Sequence, residues 1–190
     1  MSLAMRNFEK TGSGMAMVDH RDKIWRVWLP IIALLLLLSG CSLFRGGGPK
    51  ERTIELTLQP AAELNWDGTA SKTLQVAVFV LRNTDRLLTG QVATFFDPNS
   101  DKDYYDRFAA EDVVGQWTFT IRPGQTETQV VRYTIGKDDP KRVYLGVIGD
   151  FFAPADNGRE RSVYTLQNAS KQKITVVFGK DQIEKVERTP

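Results

Sequence analysis

Alternation of apolar and polar side chains sets the pattern of this chain from residue 53 onward. Over residues 53–58, Ile54, Leu56 and Leu58 alternate with polar residues, the two-residue period of a strand with one buried face. Pro60 ends that run. Residues 73–81 differ, because Leu74, Val76, Val78 and Val80 share one face while Ala77, Phe79 and Leu81 share the other. A strand that is apolar on both faces is covered on both, which predicts a central position in a sheet. Trp117, Phe119 and Ile121 alternate again, and Val131, Tyr133 and Ile135 do so within residues 128–135. Between these two runs, Arg122-Pro123-Gly124-Gln125 has Pro second and Gly third, as a type II turn requires, so a hairpin is expected there. Further strands are expected over 143–152, 163–166, 173–178 and 182–186, the last two joined at Gly179-Lys180. Seven or so short strands with turn signals between them predict a mainly β fold, a two-sheet β-sandwich. The chain has no internal repeat.

Residues 82–115 break this pattern. Tyr104, Phe108 and Val113 have helix-compatible spacing, so a short helical insertion is expected over about 85–115. Within it, Asp97, Asn99 and Asp101 match the first three ligand positions of a calcium-binding EF-hand loop. The position that needs Gly holds Lys102, and the position that needs Glu holds Phe108. These aspartates are therefore expected to start the following helix, not to bind metal. Residues 59–72 form a polar connection containing Asn65-Trp66-Asp67-Gly68. Asn65, Asp67 and Gly68 favour a turn that would push Trp66 outward as an anchor for a protein partner; the alternative is that Trp66 folds back as a lid on the edge of the sandwich.

The first forty residues follow a different logic. Lys10, Arg21, Lys23 and Arg26 precede an apolar run that ends in five leucines at 34–38, then Leu38-Ser39-Gly40-Cys41. The run is shorter than the ~20 residues a membrane span needs and has the length of a signal-peptide core. The tetrapeptide resembles the lipobox of bacterial lipoproteins, in which the cysteine thiol takes a diacylglycerol. Residues 1–40 are thus expected to be a signal peptide, with Met15 or Met17 as alternative starts. Cys41 becomes the acylated first residue, residues 41–50 a flexible tether with Gly46-Gly47-Gly48, and residues 51–190 the β-domain. Several acyl chains on one residue satisfy the need for more than one chain in stable anchoring. Ser42 in place of aspartate points to the outer membrane.

Processing changes the chemistry that remains. Five Lys/Arg and three Asp/Glu precede Cys41, so the formal charge of +2 leaves twenty of each sign after it. A neutral domain argues against nucleic acid or an anionic membrane surface as partner. His20 is the sole histidine and Cys41 the sole cysteine. The mature domain therefore has no disulfide, no His/Cys metal site and no Ser-His-Asp or Cys-His nucleophile. No cofactor is expected beyond the covalent diacylglycerol and acyl chain on Cys41. Carboxylate chemistry stays open, but nothing in the spacing of Glu111, Asp112 and Asp150 places two of them as a glycosidase pair.

The order of motifs resembles the TssJ family, the outer-membrane lipoproteins of the type VI secretion system. It is carried by Leu64-Asn65-Trp66-Asp67-Gly68 before the strand at 74–81, by Phe95-Phe96, by Arg122-Pro123-Gly124-Gln125-Thr126, and by Tyr144-Leu145-Gly146-Val147-Ile148. The chain departs from the family pattern in having Trp66 after Asn65, in Arg82-Asn83-Thr84 after Leu81, and in lacking a Trp-Arg pair around 159–163. The resemblance implies a transthyretin-like two-sheet sandwich with added helices and no enzymatic activity. It also implies an assembly role: binding the periplasmic domain of the inner-membrane subunit TssM, in part through the loop after the first strand. That loop maps onto Asn65, Trp66, Asp67, Gly68 and Thr69. The alternative is a lipid-anchored β-sandwich that binds a small ligand or carbohydrate, which would require an aromatic-lined pocket.

The lipobox carries the first testable expectation. Cys41→Ser releases the protein from the membrane fraction while leaving the domain folded. Fractionation and palmitate labelling check it: a serine variant that still sediments with outer membrane, beside a wild type that takes no label, refutes the anchor.

Overall fold

The computed structural model describes residues 48–155 and 158–189. The signal peptide and Cys41 lie outside the described residues. Among the described residues, eight strands form two four-stranded sheets. They are β1 (Lys50–Pro60), β2 (Leu74–Leu81), β3 (Val113–Ile121), β4 (Glu127–Ile135), β5 (Tyr144–Gly149), β6 (Arg161–Thr165), β7 (Lys171–Phe178) and β8 (Ile183–Arg188). The first sheet has the order β4-β1-β7-β8 and the second β3-β2-β5-β6. All pairings are antiparallel except β1 with β7.

The alternation seen in the sequence decides what lies between the sheets. Ile54, Leu56 and Leu58 of β1 meet Val76, Val78 and Val80 of β2, with Leu145, Val147, Ile174, Val176 and Phe178 filling the same layer. From Ala77 onward the other face of β2 is equally dry. Ala77, Phe79 and Leu81, with Ile148 from β5, pack under the insertion. The two-faced pattern at 74–81 therefore has the predicted meaning: β2 is interior within its sheet and covered on both sides.

The cover on the outer face is a chain of short helices. These are α1 (Asp85–Thr89), α2 (Val92–Phe96), a 3-10 turn (Pro98–Asp101), α3 (Lys102–Arg107) and a π-type turn (Phe108–Asp112). Phe95 and Phe108 stand edge-on to Phe79, with ring centroids 6.0 and 5.2 Å away. Helices this short are marginal by themselves, so burial of these rings and polar ties must hold them. Arg86 donates to Asp112 at 2.8 Å and also pairs with Glu111. Arg161 on β6 donates to the carbonyls of Leu87, Leu88 and Gly90, satisfying the open end of α1. Asp97 and Asp101 accept from the backbone N–H of Asn99 and Tyr104 as caps, which is the role expected of them.

One boundary and one pairing here differ from the sequence reading. The insertion ends at Asp112, not near 115, because Val113 already pairs with Leu81 at the start of β3. The turn at 122–125 forms as expected, with Gly124 at φ 66° and Gln125 N–H donating to the Arg122 carbonyl at 3.2 Å. It does not close a hairpin. β3 pairs with β2 and β4 with β1, so the turn carries the chain from one sheet to the other. Turn chemistry fixes the bend, but whether the flanking strands pair depends on which neighbours bury their apolar faces.

The topology gives the sandwich two poles. At about 3.3 Å per residue, β1 runs roughly 33 Å from Lys50 to Pro60. Its first residue pairs with Ile135, so the β4–β5 loop lies at the tether pole. Thr53 N–H donates to the Ser170 carbonyl, which places the β6–β7 loop there too. Pro60 pairs with Phe178, so the β1–β2 loop and the β7–β8 turn share the far pole.

Gly146 shows how tightly the insertion seats. A Cβ there would lie 2.7 Å from Leu87 Cδ2 and 2.9 Å from Leu81 Cδ1. Gly146→Ala is therefore expected to cost about 1–3 kcal/mol by overpacking. A denaturant melt checks this, and an unchanged midpoint would show that α1 sits loosely on the sheet.

Candidate functional site

The far pole is built around the loop at residues 61–73, and backbone bonds fix it at several points. Ala61 N–H donates to the Phe178 carbonyl at 2.8 Å, Lys72 N–H to Leu64, and Trp66 N–H to Lys180. Leu64 is fully buried and plugs the loop into the core between the sheets. The cross-sheet turn is fastened to the same loop by Gly124 N–H on the Ala61 carbonyl at 3.0 Å. The loop is thus tied to β7, to the β7–β8 turn and to the β3–β4 turn.

The five residues singled out from the sequence take different parts. Asn65 is turned into the domain. It is only 8% exposed and has φ 49°, a left-handed conformation that asparagine tolerates better than most residues. Its side-chain amide donates to the Thr73 carbonyl at 2.7 Å, and its carbonyl oxygen accepts the Phe152 N–H at 2.7 Å. Asn65 is therefore a brace that joins the start of β2 to the β5–β6 loop. Asp67 organises the tip: its carboxylate accepts from the N–H groups of Thr69 and Ala70 and from the Thr69 hydroxyl, and pairs with Lys72 at 3.2 Å. The Ala70 N–H, then the Thr69 donors and Lys72, hold its carboxyl well below the usual carboxylate range. A depressed value means this order is fully present above the ordinary carboxylate pKa and is lost only as pH falls through the lower folded one. Gly68, at φ 96°, and Thr69 are exposed at the tip.

Trp66 is neither fully outward nor a core lid. It is partly buried, with the Lys180 ammonium 5.7 Å from its ring centroid, a cation–π contact that steadies one face of the indole. The β5–β6 loop, held to this one through Asn65, adds a further aromatic residue. Phe152 is 70% exposed, and its backbone is held by Asn65. In the sequence it sits at the end of the long apolar run at 143–152, where it reads as strand. β5 stops at Gly149, and Phe152 is carried into the loop. Its one sequence signal is Asp150, which interrupts that run.

No other chemistry gathers here. Glu111 and Asp112 are both bound to Arg86 on the outer face of the second sheet. No group of three or more His, Cys, Asp or Glu suited to a metal occurs among the described residues. The clefts that stand out are surface features, and the one beside Phe151 contains no other aromatic side chain. None has the aromatic lining that the small-ligand alternative requires. No helix among the described residues is long and apolar enough to cross a membrane.

Comparison with known proteins agrees with this architecture. No curated protein aligns with the chain at a significant level. Two solved structures share the fold at a TM-score of 0.55. Lip of Serratia marcescens, described as a membrane-bound component of the type VI secretion system, is 14% identical, and the match covers 73% of this chain and 97% of that one. The lipoprotein TssJ1 of Pseudomonas aeruginosa is 17% identical with the same coverage. A chain of a type VI membrane complex matches at a TM-score of 0.54 and 14% identity, covering 73% of this chain and 98% of that one. The family described as "Type VI secretion lipoprotein, VasD, EvfM, TssJ" matches residues 52–181, more than half of the chain. This protein belongs to the type VI secretion lipoprotein family.

Proposed function

We propose that this protein is an outer-membrane-anchored assembly lipoprotein of a type VI secretion membrane complex. Its Cys41 lipids hold it to the membrane, facing the periplasm, and its far pole binds the periplasmic domain of a TssM-like inner-membrane subunit. The observation that carries the reading is the path of β1: one continuous strand leads from the tether to the candidate loop. A partner that approaches from across the periplasm meets that pole first. The role needs no catalytic group, and the carboxylates weighed above on the insertion neutralise Arg86 instead.

The contact surface on this reading is Trp66 with Asp67, Gly68, Thr69 and the exposed ring of Phe152. Aromatic anchors surrounded by polar atoms fit the composition of interface hot spots. Asn65 contributes by holding the two loops in register. Because the loop is fixed at several points before binding, little ordering entropy remains to be lost on association.

Three substitutions separate anchor from brace. Trp66→Ala is expected to weaken binding of the TssM-like periplasmic domain about 30-fold, or about 2 kcal/mol, in a calorimetric titration. Its cost to folding is smaller, roughly 1–2 kcal/mol, since the indole is partly exposed. Phe152→Ala is expected to weaken binding with a nearly unchanged melt. Asn65→Ala reverses the order: it leaves the Thr73 carbonyl and Phe152 N–H without their partner and costs about 1–3 kcal/mol of stability. Wild-type affinity in both aromatic variants would place the interface elsewhere.

A further inference from the structure

The neutrality of the mature chain conceals an uneven distribution. At the tether pole, a cleft of about 250 Å³ lies between the start of β1, the β4–β5 loop and the β6–β7 loop. Its charged lining consists of Lys50, Arg52, Lys137, Lys141 and a single carboxylate, Asp139. That carboxylate is already neutralised, since Arg82 Nε lies 2.5 Å from it and Gly136 N–H donates to it at 2.7 Å. Lys50, Lys137 and Lys141 are exposed, while Arg52 is buried and donates to Asn168. Glu51 and Asp138 are the acidic neighbours in sequence, and neither lines this cleft. The result is a concave surface with four cations and one spent anion.

Its position gives it a target. The cleft includes Gly48, and only seven peptide links separate Gly48 from Cys41. Fully extended, they span at most about 25 Å. With its lipids in the bilayer, the protein holds this pole, and not the Trp66 pole, against the headgroups. We propose that the cleft is a docking surface for the anionic phosphodiester headgroups of the membrane that holds Cys41. The proposal rests on the acylation of Cys41. The docked surface fixes the tilt of the sandwich, so that β1 points the far-pole loop away from the bilayer and does not swing on its tether. Lysines suit this task, since an ammonium on a flexible stem follows mobile phosphates without requiring a fixed fork geometry.

The test uses the lipidated full chain floated with vesicles of neutral phosphatidylcholine, or of phosphatidylcholine with one third phosphatidylglycerol. Lysines are acylated with a water-soluble succinimidyl ester and read by mass spectrometry. A cation near an anionic surface gains about fivefold in partitioning, so Lys50, Lys137 and Lys141 should label roughly fivefold more slowly on the anionic vesicles. High salt should restore their labelling. Lys102, on the insertion, serves as the reference and should label equally on both. Equal labelling of the three lysines on both vesicles, or equal protection of Lys102, overturns the proposal. So does protection on neutral vesicles by millimolar inorganic phosphate alone, which would mark a site for free anions. Failure to float with neutral vesicles would instead remove the Cys41 anchor itself, and this proposal with it.

Discussion

A strand buried on both faces from Val76 to Leu81 governs this structure. β2 is apolar on both sides, and water must be kept from both. The inner side is covered by the first sheet, as in any sandwich. The outer side needs a second cover, which the chain provides immediately after β2 as a run of helices too short to stand alone. This explains the local chemistry around them. Arg82, directly after β2, donates to the Val113 carbonyl where the chain returns as β3, and pairs with Asp139 on the β4–β5 loop. Arg161 reaches from β6 to close the end of α1. Gly146 leaves room for Leu87. Arg82 ties the two ends of the insertion together, Arg161 fastens α1 to the sheet, and Gly146 lets Leu87 seat against it.

The same β pairing separates the two tasks proposed for the domain. β1 is hydrogen-bonded on both sides, antiparallel to β4 and parallel to β7, so it is a stiff path between the two poles. Its beginning carries the tether and basic cleft, and its end leads into the braced loop. A soft connection between the two would allow the lipid to hold the protein without orienting the loop. A strand fixed on both edges transmits orientation as well as attachment.

Much of this fold was legible in the sequence because burial imposes a period. The two-faced run at 74–81 implied an interior strand, and the strand at 173–178 and its turn at Gly179 followed from simple alternation. What was not legible depended on partners distant in the chain. The Pro-Gly turn at 123–124 predicts a bend, but pairing of β3 with β2 and β4 with β1 is decided across the whole core. Val113 suits a helix or a strand by spacing, and its contact with Leu81 settles the matter. Asn65 reads as a turn former by type. Its role as a brace needs Thr73 and Phe152, one of them 87 positions away. Phe152 was hidden in an apolar run because sequence alone does not show where a strand leaves its sheet.

Charge follows the same rule more strongly. Hydrophobic burial leaves a period in the sequence, whereas electrostatic clustering leaves none, because residues 50, 52, 137 and 141 meet only through the fold. Equal totals of acid and base exclude a strong field around the whole domain, but such a field decays within a Debye length of about 8–10 Å. A membrane surface or a partner therefore senses the few charges facing it and not the sum. At the tether pole Asp139 is bound by Arg82, which leaves the lysines that line the cleft without a free carboxylate in that lining. At the far pole Asp67 is bound by its own loop and by Lys72, which leaves the Lys180 ammonium over the Trp66 ring. In both places an ion pair within the domain neutralises a carboxylate, and the character of each pole follows from which neighbours it leaves behind.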